Sequence, residues 1–467
     1  MTAPYQAEPG SGAAMHALVR ELYPVCRSIT GDGLRATLRR LREDVPLELH
    51  EVPTGTRVLD WTVPKEWNIR DAWVADAQGR RVIDFRRHNL HVLNYSVPVR
   101  RRMTLAELRP HLFTLPEQPD LIPYRTSYYT EAWGFCLEHR ALEALPDGEY
   151  EVCIDSTLAP GHLTYGELFL PGETADEILF SCHSCHPSLA NDNLAGVAVA
   201  VWLARRLGGV PRRHGMRFVF IPGAIGSITW LARNPEAAQR IRHGLVLSCL
   251  GDPGCSTYKR SRRGDALVDR ASAHVLRRGG EHRLLDFVPY GYDERQYCSP
   301  GYNLAVGCLT RTPNGRYPEY HTSADNPEFV RPDALEDSLA KALAIVEILE
   351  HDAAFVNLSP YGEPQLGRRG LYGGTGGATP PGFEMALLWV LNYSDGSHSL
   401  LDIADRAAMP FALVRRAAAA LEGAGLLAPS PADGGAAAGG PATPGDPRRD
   451  EPRPPRRARA RRHQRAE

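Results

Sequence analysis

The chain has 467 residues, of which 43% are hydrophobic and 23% charged, and its formal net charge is −1. This length allows two to four domains with a large core, while the small net charge provides no overall field that would recruit nucleic acid or a membrane surface. We find no run of roughly 20 apolar residues and no signal peptide at the start. Nine cysteines, an odd number, favour reduced thiols and a cytoplasmic location.

The first 130 residues predict helices followed by short strands. Apolar residues recur at spacings of three and four over residues 14–43, which predicts two helices. From about Leu47 the pattern changes to short strands separated by Pro, Gly and Asn. We therefore predict a small β-rich domain over residues 47–130 that is inserted into a larger domain.

Strands and helices alternate in the next part of the chain. Strands are predicted at 150–155, 163–170, 178–181, 216–221, 244–249 and 304–309, and helices at 194–207, 225–243, 264–278 and 332–350. Such alternation is typical of a mainly parallel sheet that is covered by helices on both faces. The predicted fold class is α/β, with the main domain made of residues 1–46 and 131–355.

The C-terminal part predicts a separate module and a tail. The glycine-rich residues 367–377 lack the Gly-Lys-Ser/Thr signature of a phosphate-binding loop, so we predict a linker. Residues 378–430 carry three helical patterns and a short apolar strand, which is typical of a winged helix. Acidic residues outnumber arginines in this module, which disfavours DNA binding. The Ala-, Gly-, Pro- and Arg-rich residues 431–467 predict a disordered tail.

One loop holds the densest cluster of candidate metal ligands. His183, His186, two cysteines and Asp192 follow a predicted buried strand and precede a predicted helix. Open α/β sheets bind their ligands on loops of this kind, and neutral imidazole with carboxylate suits zinc. A late histidine, His321, is followed four residues on by Asp325. Together these residues predict an open site that holds one Zn²⁺ per chain.

Two other interpretations of this loop stay open. The first is a buried Cys/His cluster that holds no metal. The second is a structural zinc bound by Cys182, His183, Cys185 and His186. Their close spacing disfavours it, because structural zinc sites usually draw a second ligand pair from farther along the chain. Whether His183 or His186 is the loop ligand also stays open.

Four stretches carry a resemblance to a known family. They are Ile-Pro-Tyr-Arg-Thr-Ser-Tyr-Tyr at 122–129, Ser-Cys-His-Ser-Cys-His-Pro-Ser-Leu-Ala-Asn-Asp-Asn-Leu at 181–194, Asp-Glu-Arg-Gln-Tyr-Cys-Ser-Pro-Gly at 293–301 and Tyr-Pro-Glu-Tyr-His-Thr-Ser-Ala-Asp-Asn at 317–326. Over most of residues 14–430 the chain resembles a bacterial family with an aminopeptidase-like domain, an inserted small domain and a C-terminal winged helix. That family is related to the co-catalytic zinc exopeptidases.

The resemblance implies both a ligand set and a departure from it. Three ligand positions of the superfamily hold the expected residue types: His183, Asp192 and His321. The Glu-Glu pair of the superfamily would fall on Gly223 and Ala224, and its second aspartate on Cys249. The resemblance therefore implies one zinc ion instead of two, and it implies that the usual general-base glutamate is replaced by Gly223.

A hydrolase of this kind needs a carboxylate that accepts a proton from water. Glu294 is the best replacement by motif position, with Asp293 beside it as a second candidate catalytic residue. Asp252 and Glu319 are weaker candidates. The alternative is that residues 293–296 form a polar loop at the rim of the site.

Two further residues are candidates for binding substrate. Arg295 has the geometry to hold a carboxylate through two hydrogen bonds, and Tyr320 precedes the candidate ligand His321. The leading hypothesis is a zinc-dependent amide-bond hydrolase of a small peptide or of an aminoacylated or acylated metabolite. The second hypothesis is a catalytically impaired zinc-binding protein, and a transcriptional regulator is a weaker third. A homo-oligomer stays open, and no membrane or nucleic-acid partner is predicted.

Overall fold

An eight-stranded sheet organises the structure, a computed structural model that describes residues 5–372 and 380–430. In spatial order its strands are Glu48–Pro53, His162–Leu170, Gly215–Ile221, Glu177–His183, Ile241–Leu247, Val306–Thr310, Ser256–Lys259 and His282–Leu285. The four strands from Gly215–Ile221 to Val306–Thr310 run parallel, and antiparallel pairs flank them. The predicted tail at 431–467 and residues 373–377 of the predicted linker lie outside the described residues.

Two apolar cores lie on opposite faces of this sheet. Along Glu177–His183, Phe180 belongs to one core and its neighbour Leu179 to the other, as the two-residue period of a strand requires. Every residue of this strand is buried, which is typical of a parallel strand covered on both faces. The prediction of a mainly parallel α/β sheet is therefore confirmed.

Helices surround the sheet and connect its strands. The longer ones are Ser11–Leu22, Asp32–Leu41, Gly196–Gly208, Ile225–Arg233, Pro235–Arg240, Leu267–Arg278 and Pro332–His351. Short helices and turns of helix are Asn89–His91, Leu105–Leu108, Arg109–His111, His139–Glu143, Ala190–Ala195, Glu294–Tyr297 and Gly367–Arg369. No helix among the described residues has the length and apolar character that crossing a membrane requires.

The smaller β-structure differs from the predicted insertion in its boundaries. Its antiparallel sheet contains Arg81–Asp84, Glu66–Ala75, Glu149–Ala159 and Val99–Thr104, in that spatial order. Two short pairs complete it: Arg57–Val58 with Trp61–Thr62, and Leu112–Phe113 with Phe135–Cys136. Glu48–Pro53 lies inside the predicted span of 47–130 but pairs in the large sheet, whereas Glu149–Ala159 lies outside that span and pairs in the small one. Alternating apolar residues predict a strand, but they do not predict which other strand it pairs with.

The C-terminal module is a winged helix, as predicted. Its helices are Phe383–Tyr393, Leu400–Arg406 and Phe411–Gly423, and its sheet contains Asp395–Ser399, Ala354–Asn357 and Leu427–Pro429. The middle strand begins before the predicted boundary at 378, because the chain enters the module directly from the helix Pro332–His351.

Ion pairs join the winged helix to the main domain. Asp402 accepts from Arg270 at 2.5 Å, and Asp405 lies 2.6 Å from Nδ1 of the buried His274. Arg415 of the module pairs with Glu347 at 3.0 Å. Arg270 and Arg415 at this boundary therefore face carboxylates of the same chain.

A buried ion network supports the strand that carries His183. Arg217 is 8% exposed, contacts Glu167, and donates from Nε to Glu177 at 2.6 Å. We expect Arg217→Met to lower the free energy of unfolding by about 3–5 kcal/mol, because it leaves two carboxylates without this cation. The control Arg242→Met breaks an exposed pair with Asp176 and should cost about 1 kcal/mol or less. Equal losses in urea denaturation of both variants would contradict the network's role.

Candidate functional site

His183 ends the central strand Glu177–His183 and lies at the carboxyl edge of the parallel strands. Its Nε2 atom is 2.7 Å from Oδ1 of Asp192, and both side chains are fully buried. The ring of His186, three residues later, has its centroid 5.0 Å from that of His183. One ligand atom from each of these three residues lies within 4.8 Å of the other two. We call His183, His186 and Asp192 the ligand group.

His321 approaches the ligand group from a different loop. Its Nε2 atom is 2.9 Å from Oδ2 of Asp192, so the two oxygens of this carboxylate face two different histidines. Burial alone would raise the pKa of Asp192, but His186 and His183 beside it hold that pKa well below its usual range. The structure thus brings the four sequence-predicted metal residues together around one ionised carboxylate.

The donor atoms of the ligand group fit a zinc ion. The Nδ1 atom of His186 is buried and has no hydrogen-bond partner among the described residues. Burial lowers the pKa of His186 to about 3, so the ring is neutral and keeps a lone pair for a metal. Neutral imidazole and an ionised carboxylate are the nitrogen and oxygen donors that zinc takes in proteins.

The two cysteines of this loop lie outside the ligand group. Cys182 packs in an apolar core, and Sγ of Cys185 accepts a hydrogen bond from the N–H of Gly223 at 3.2 Å. Burial raises the pKa of Cys185 to about 12 and that of Cys182 well above its usual range. Neither thiol belongs to the group of ligand atoms that lie within 4.8 Å of one another, and this geometry disfavours a structural Cys₂His₂ site.

Asp325 fixes the backbone on which Asp192 lies. Its carboxylate accepts hydrogen bonds from the N–H groups of Asn191 at 2.6 Å and Asp192 at 3.0 Å. Asn191 in turn donates to Asp252 at 3.2 Å and accepts from Gly251 at 2.8 Å. Asp325 therefore positions a candidate ligand, and Asp252, a weaker candidate base, is engaged in the same support.

Asn193 is a supporting residue that the sequence does not identify. Its Nδ2 atom donates to the carbonyl oxygens of His183 at 3.2 Å and Leu247 at 3.0 Å, and its Oδ1 accepts from the N–H of Cys249 at 3.1 Å. These bonds join the ends of two adjacent parallel strands beside the ligand group. An Asn before a helix is typical of a cap, but Ala195 caps this helix without a side-chain bond.

Gly223 leaves a space next to His183. A Cβ atom at this position would lie 3.6 Å from Cβ of His183 and 3.7 Å from Sγ of Cys185, which are ordinary contacts. The side chain of a larger residue at position 223 would therefore lie next to the ligand group. This chain places no side chain there.

Asp293 lies next to that space. Its Oδ1 accepts from the N–H of Ala224 at 2.8 Å and from Oγ of Ser227 at 2.7 Å, which fixes the carboxylate at the start of the helix Ile225–Arg233. Its Oδ2 is buried and has no partner among the described residues. Burial raises the pKa of Asp293, and the nearby His183 opposes this rise.

Glu294 and Arg295 have different surroundings. Glu294 is fully buried and pairs with Lys259, which also donates to the carbonyl of Tyr290 at 2.8 Å. Its carboxylate thus faces a cation that lies outside the ligand group. Arg295 is half-buried, and its Nε has no hydrogen-bond partner among the described residues.

Aromatic rings enclose the histidines. Tyr320 stacks on His321 with ring centroids 3.9 Å apart, and Tyr292 stacks on His183 at 4.2 Å. Their two hydroxyls are 3.0 Å apart. Tyr124 directs its ring edge-on to His321 at 5.0 Å. Sequence reasoning identified Tyr320 but missed Tyr292 and Tyr124, although Tyr124 lies in one of the four quoted stretches.

Comparison with known proteins agrees with this architecture. Residues 16–352 match the family described as Domain of unknown function (DUF4910), and residues 353–429 match a winged helix-turn-helix family. A Clostridium acetobutylicum protein described as a polysaccharide biosynthesis protein with an aminopeptidase-like domain is 49% identical over 419 residues, which are 89% of this chain and 96% of that protein.

Two solved structures extend the comparison. A crystal structure described as a peptidase from Clostridium acetobutylicum has a TM-score of 0.86 at 48% identity and covers 90% of this chain and 97% of its own. A zinc aminopeptidase from Bacillus subtilis has a TM-score of 0.54 at 13% identity and covers 73% of this chain and 96% of its own. The fold of the main domain is therefore aminopeptidase-like.

The support from Asp325 predicts a loss of stability when it is removed. Asp325→Ala leaves two buried N–H groups without an acceptor, and each costs about 1–3 kcal/mol. We expect the free energy of unfolding in urea to fall by about 2–4 kcal/mol, with a smaller loss for Asp325→Asn, which keeps one acceptor. The control Asp333→Ala breaks an exposed pair with Arg331 and should cost less than about 1 kcal/mol. A loss for Asp325→Ala as small as the control's would refute this support.

Proposed function

This chain belongs to the DUF4910 family, and we propose that it is a zinc-dependent amide-bond hydrolase of the aminopeptidase type. The observation that carries the proposal is the ligand group, in which His183, His186 and Asp192 place one donor atom each within 4.8 Å of the others. Such a group on a loop at the carboxyl edge of parallel strands is where an α/β fold binds its ligands. The nine free cysteines support a reducing compartment, the cytoplasm.

The proposed substrate is a small acylated metabolite, and within that class we propose an amino sugar whose amine carries an acyl or aminoacyl group. The support is the description of the Clostridium relative, which names polysaccharide biosynthesis together with an aminopeptidase-like domain. Arg295 favours a substrate that carries a free carboxylate, because its Nε has no hydrogen-bond partner among the described residues. Tyr320 would flank the substrate from its position on His321.

His183, His186 and Asp192 would hold one zinc ion, and His321, whose Nε2 atom lies 2.9 Å from Oδ2 of Asp192, is a further candidate ligand. When bound, zinc supplies a Lewis acid that polarises a carbonyl and lowers the pKa of water toward about 7. Asp192 supplies the negative charge of the group, and the neutral ring of His186 supplies a lone pair. The stacked rings of Tyr292 and Tyr320 limit the access of bulk water.

We propose that Asp293 transfers the proton from water to the leaving amine. Its Oδ1 is fixed by Ala224 and Ser227, which leaves Oδ2 free to accept a proton from water and pass it to the leaving amine. Burial raises the pKa of Asp293, which makes it a better proton acceptor than an ordinary carboxylate. Glu294 is a weaker choice, because Lys259 already neutralises it.

A second candidate function is a zinc-binding protein that does not hydrolyse its ligand. The observation in its favour is Gly223, because the position beside His183 that could hold a carboxylate has no side chain. The two candidates differ in one measurable respect, which is hydrolysis by the wild-type chain.

We predict about one zinc ion per chain in the purified full-length protein, measured by elemental analysis. His186→Ala and His183→Ala should each lower zinc affinity by at least tenfold, because an open site with few protein ligands cannot spare one. The control His282→Ala changes a histidine whose Nδ1 atom lies 2.9 Å from the carbonyl oxygen of Gly280, and it should keep the metal. Two tightly held ions, or none, would contradict the proposal.

We predict that Asp293→Asn lowers hydrolysis of N-glycyl-glucosamine by about 10²–10⁴-fold while zinc content stays constant, because the amide cannot accept the proton. Glu294→Gln should have a much smaller effect, and Gly223→Glu should keep or raise the rate.

The pattern across these variants separates the two candidate functions. An inactive wild type that gains hydrolysis through Gly223→Glu would support the binding protein. An active wild type that is unaffected by Asp293→Asn would show that the base is misassigned.

A further inference from the structure

A row of aromatic rings connects the ligand group with solvent. Tyr124 lies edge-on to His186 at 5.2 Å, and its hydroxyl is 2.6 Å from that of Tyr128. Tyr128 contacts Tyr129 with ring centroids 6.3 Å apart, and Tyr129 contacts Trp61 at 5.3 Å. We call Tyr124, Tyr128, Tyr129 and Trp61 the aromatic wall.

Both ends of the aromatic wall are anchored at the site. At the inner end, the N–H of Tyr124 donates to the carbonyl of His321 at 2.8 Å. At the outer end, Trp61 belongs to the hairpin of Arg57–Val58 and Trp61–Thr62, and the strand Arg57–Val58 packs against the helix Ile225–Arg233. That helix begins just after Gly223, so the hairpin and the ligand group share one support.

The outer end of the wall is open and polar at its edge. Trp61 is 46% exposed and Tyr129 is 54% exposed, and their rings meet at 53° without stacking in parallel. Within the described part of the chain, neither the indole N–H of Trp61 nor the hydroxyl of Tyr129 has a hydrogen-bond partner. The exposed ion pair of Lys65 and Glu131, at 2.6 Å, lies close in sequence to both rings. The surface therefore combines ring faces with free donors and charged groups.

We infer that Trp61 and Tyr129 bind a sugar unit of the substrate, and this inference rests on the proposed function. A sugar ring has apolar C–H faces and a rim of hydroxyls, so it satisfies both the ring faces and the free N–H and O–H groups. An apolar peptide side chain would cover the same faces without bonding to those groups, so it would gain only the contact with the rings. The chemistry of this surface therefore favours a saccharide.

The length of the wall extends the inference to substrate size. Two rings, Tyr124 and Tyr128, separate the exposed pair from His186. The inference therefore extends to a substrate of more than one sugar unit, with the acylated amino sugar at the ligand group and a neighbouring unit on Trp61 and Tyr129.

The experiment compares glucosamine with its β-1,4-linked trimer by calorimetry on the full-length, zinc-loaded protein. The wild type should bind the trimer at least tenfold more tightly than glucosamine. Trp61→Ala and Tyr129→Ala should remove most of that gain, whereas Trp61→Phe, which keeps a stacking ring, should retain most of it. The control Tyr361→Ala removes a tyrosine that is 99% exposed elsewhere and should retain all of it.

Three results would overturn the inference. They are a trimer that binds no more tightly than glucosamine, a gain that survives Trp61→Ala, and binding of phenylalanyl-phenylalanine amide at Trp61 without binding of the trimer. Neither sugar carries an acyl group, so binding does not depend on hydrolysis. Failure to hydrolyse both N-glycyl-glucosamine and the N-glycylated trimer would refute the proposed function while leaving the binding result intact.

Discussion

The Asp192 carboxylate is the group on which the candidate site depends. Its two oxygens lie 2.7 Å and 2.9 Å from histidines of different loops, and solvent does not reach it. An ionised carboxylate without water must be balanced by bonded partners. Asp325 holds the backbone N–H of Asp192, and Asn193 joins the strand ends beside it. The hydrogen bonds at this edge of the sheet therefore keep the Asp192 carboxylate in a fixed position.

This charge also bears on how many metal ions the site suits. Cys249 stands at the second aspartate position of the resemblance, with Sγ 4.0 Å from Oδ1 of Asp192. Burial, reinforced by Asp192, raises the pKa of the Cys249 thiol well above its usual range. Cys249 and Gly223 supply no carboxylate at the two positions where the resemblance expects acids. One carboxylate with neutral imidazoles balances a single divalent cation better than two, because buried charge needs compensation.

The predictable parts of the site are those that depend on local sequence. His183 ends a buried strand that contains the apolar residues 178–180, and Asp192 precedes a helix, so both positions follow from hydrophobic pattern and motif spacing. Glu294 shows the limit of that reasoning, since its partner Lys259 comes from another strand. The sequence also could not predict that Asp325 supports the backbone of Asp192, because every residue type except proline has the same backbone N–H group. The sequence predicted a strand within Glu149–Ala159, but it did not predict which sheet contains this strand, because the partner strand Glu66–Ala75 is distant in the chain.

The inserted residues also make contacts that their local sequence pattern does not predict. Their pattern predicts a separate β-rich domain, yet its residues supply both ends of the aromatic wall, through Tyr124 beside the ligand group and Trp61 at the surface. The segment that carries Tyr124 also bonds the loop of His321. An insertion that supports a candidate ligand and lines the approach to it cannot vary independently of the site. We therefore expect its sequence to influence which substrates reach the zinc site that we propose, while the aminopeptidase-like domain carries the candidate ligands.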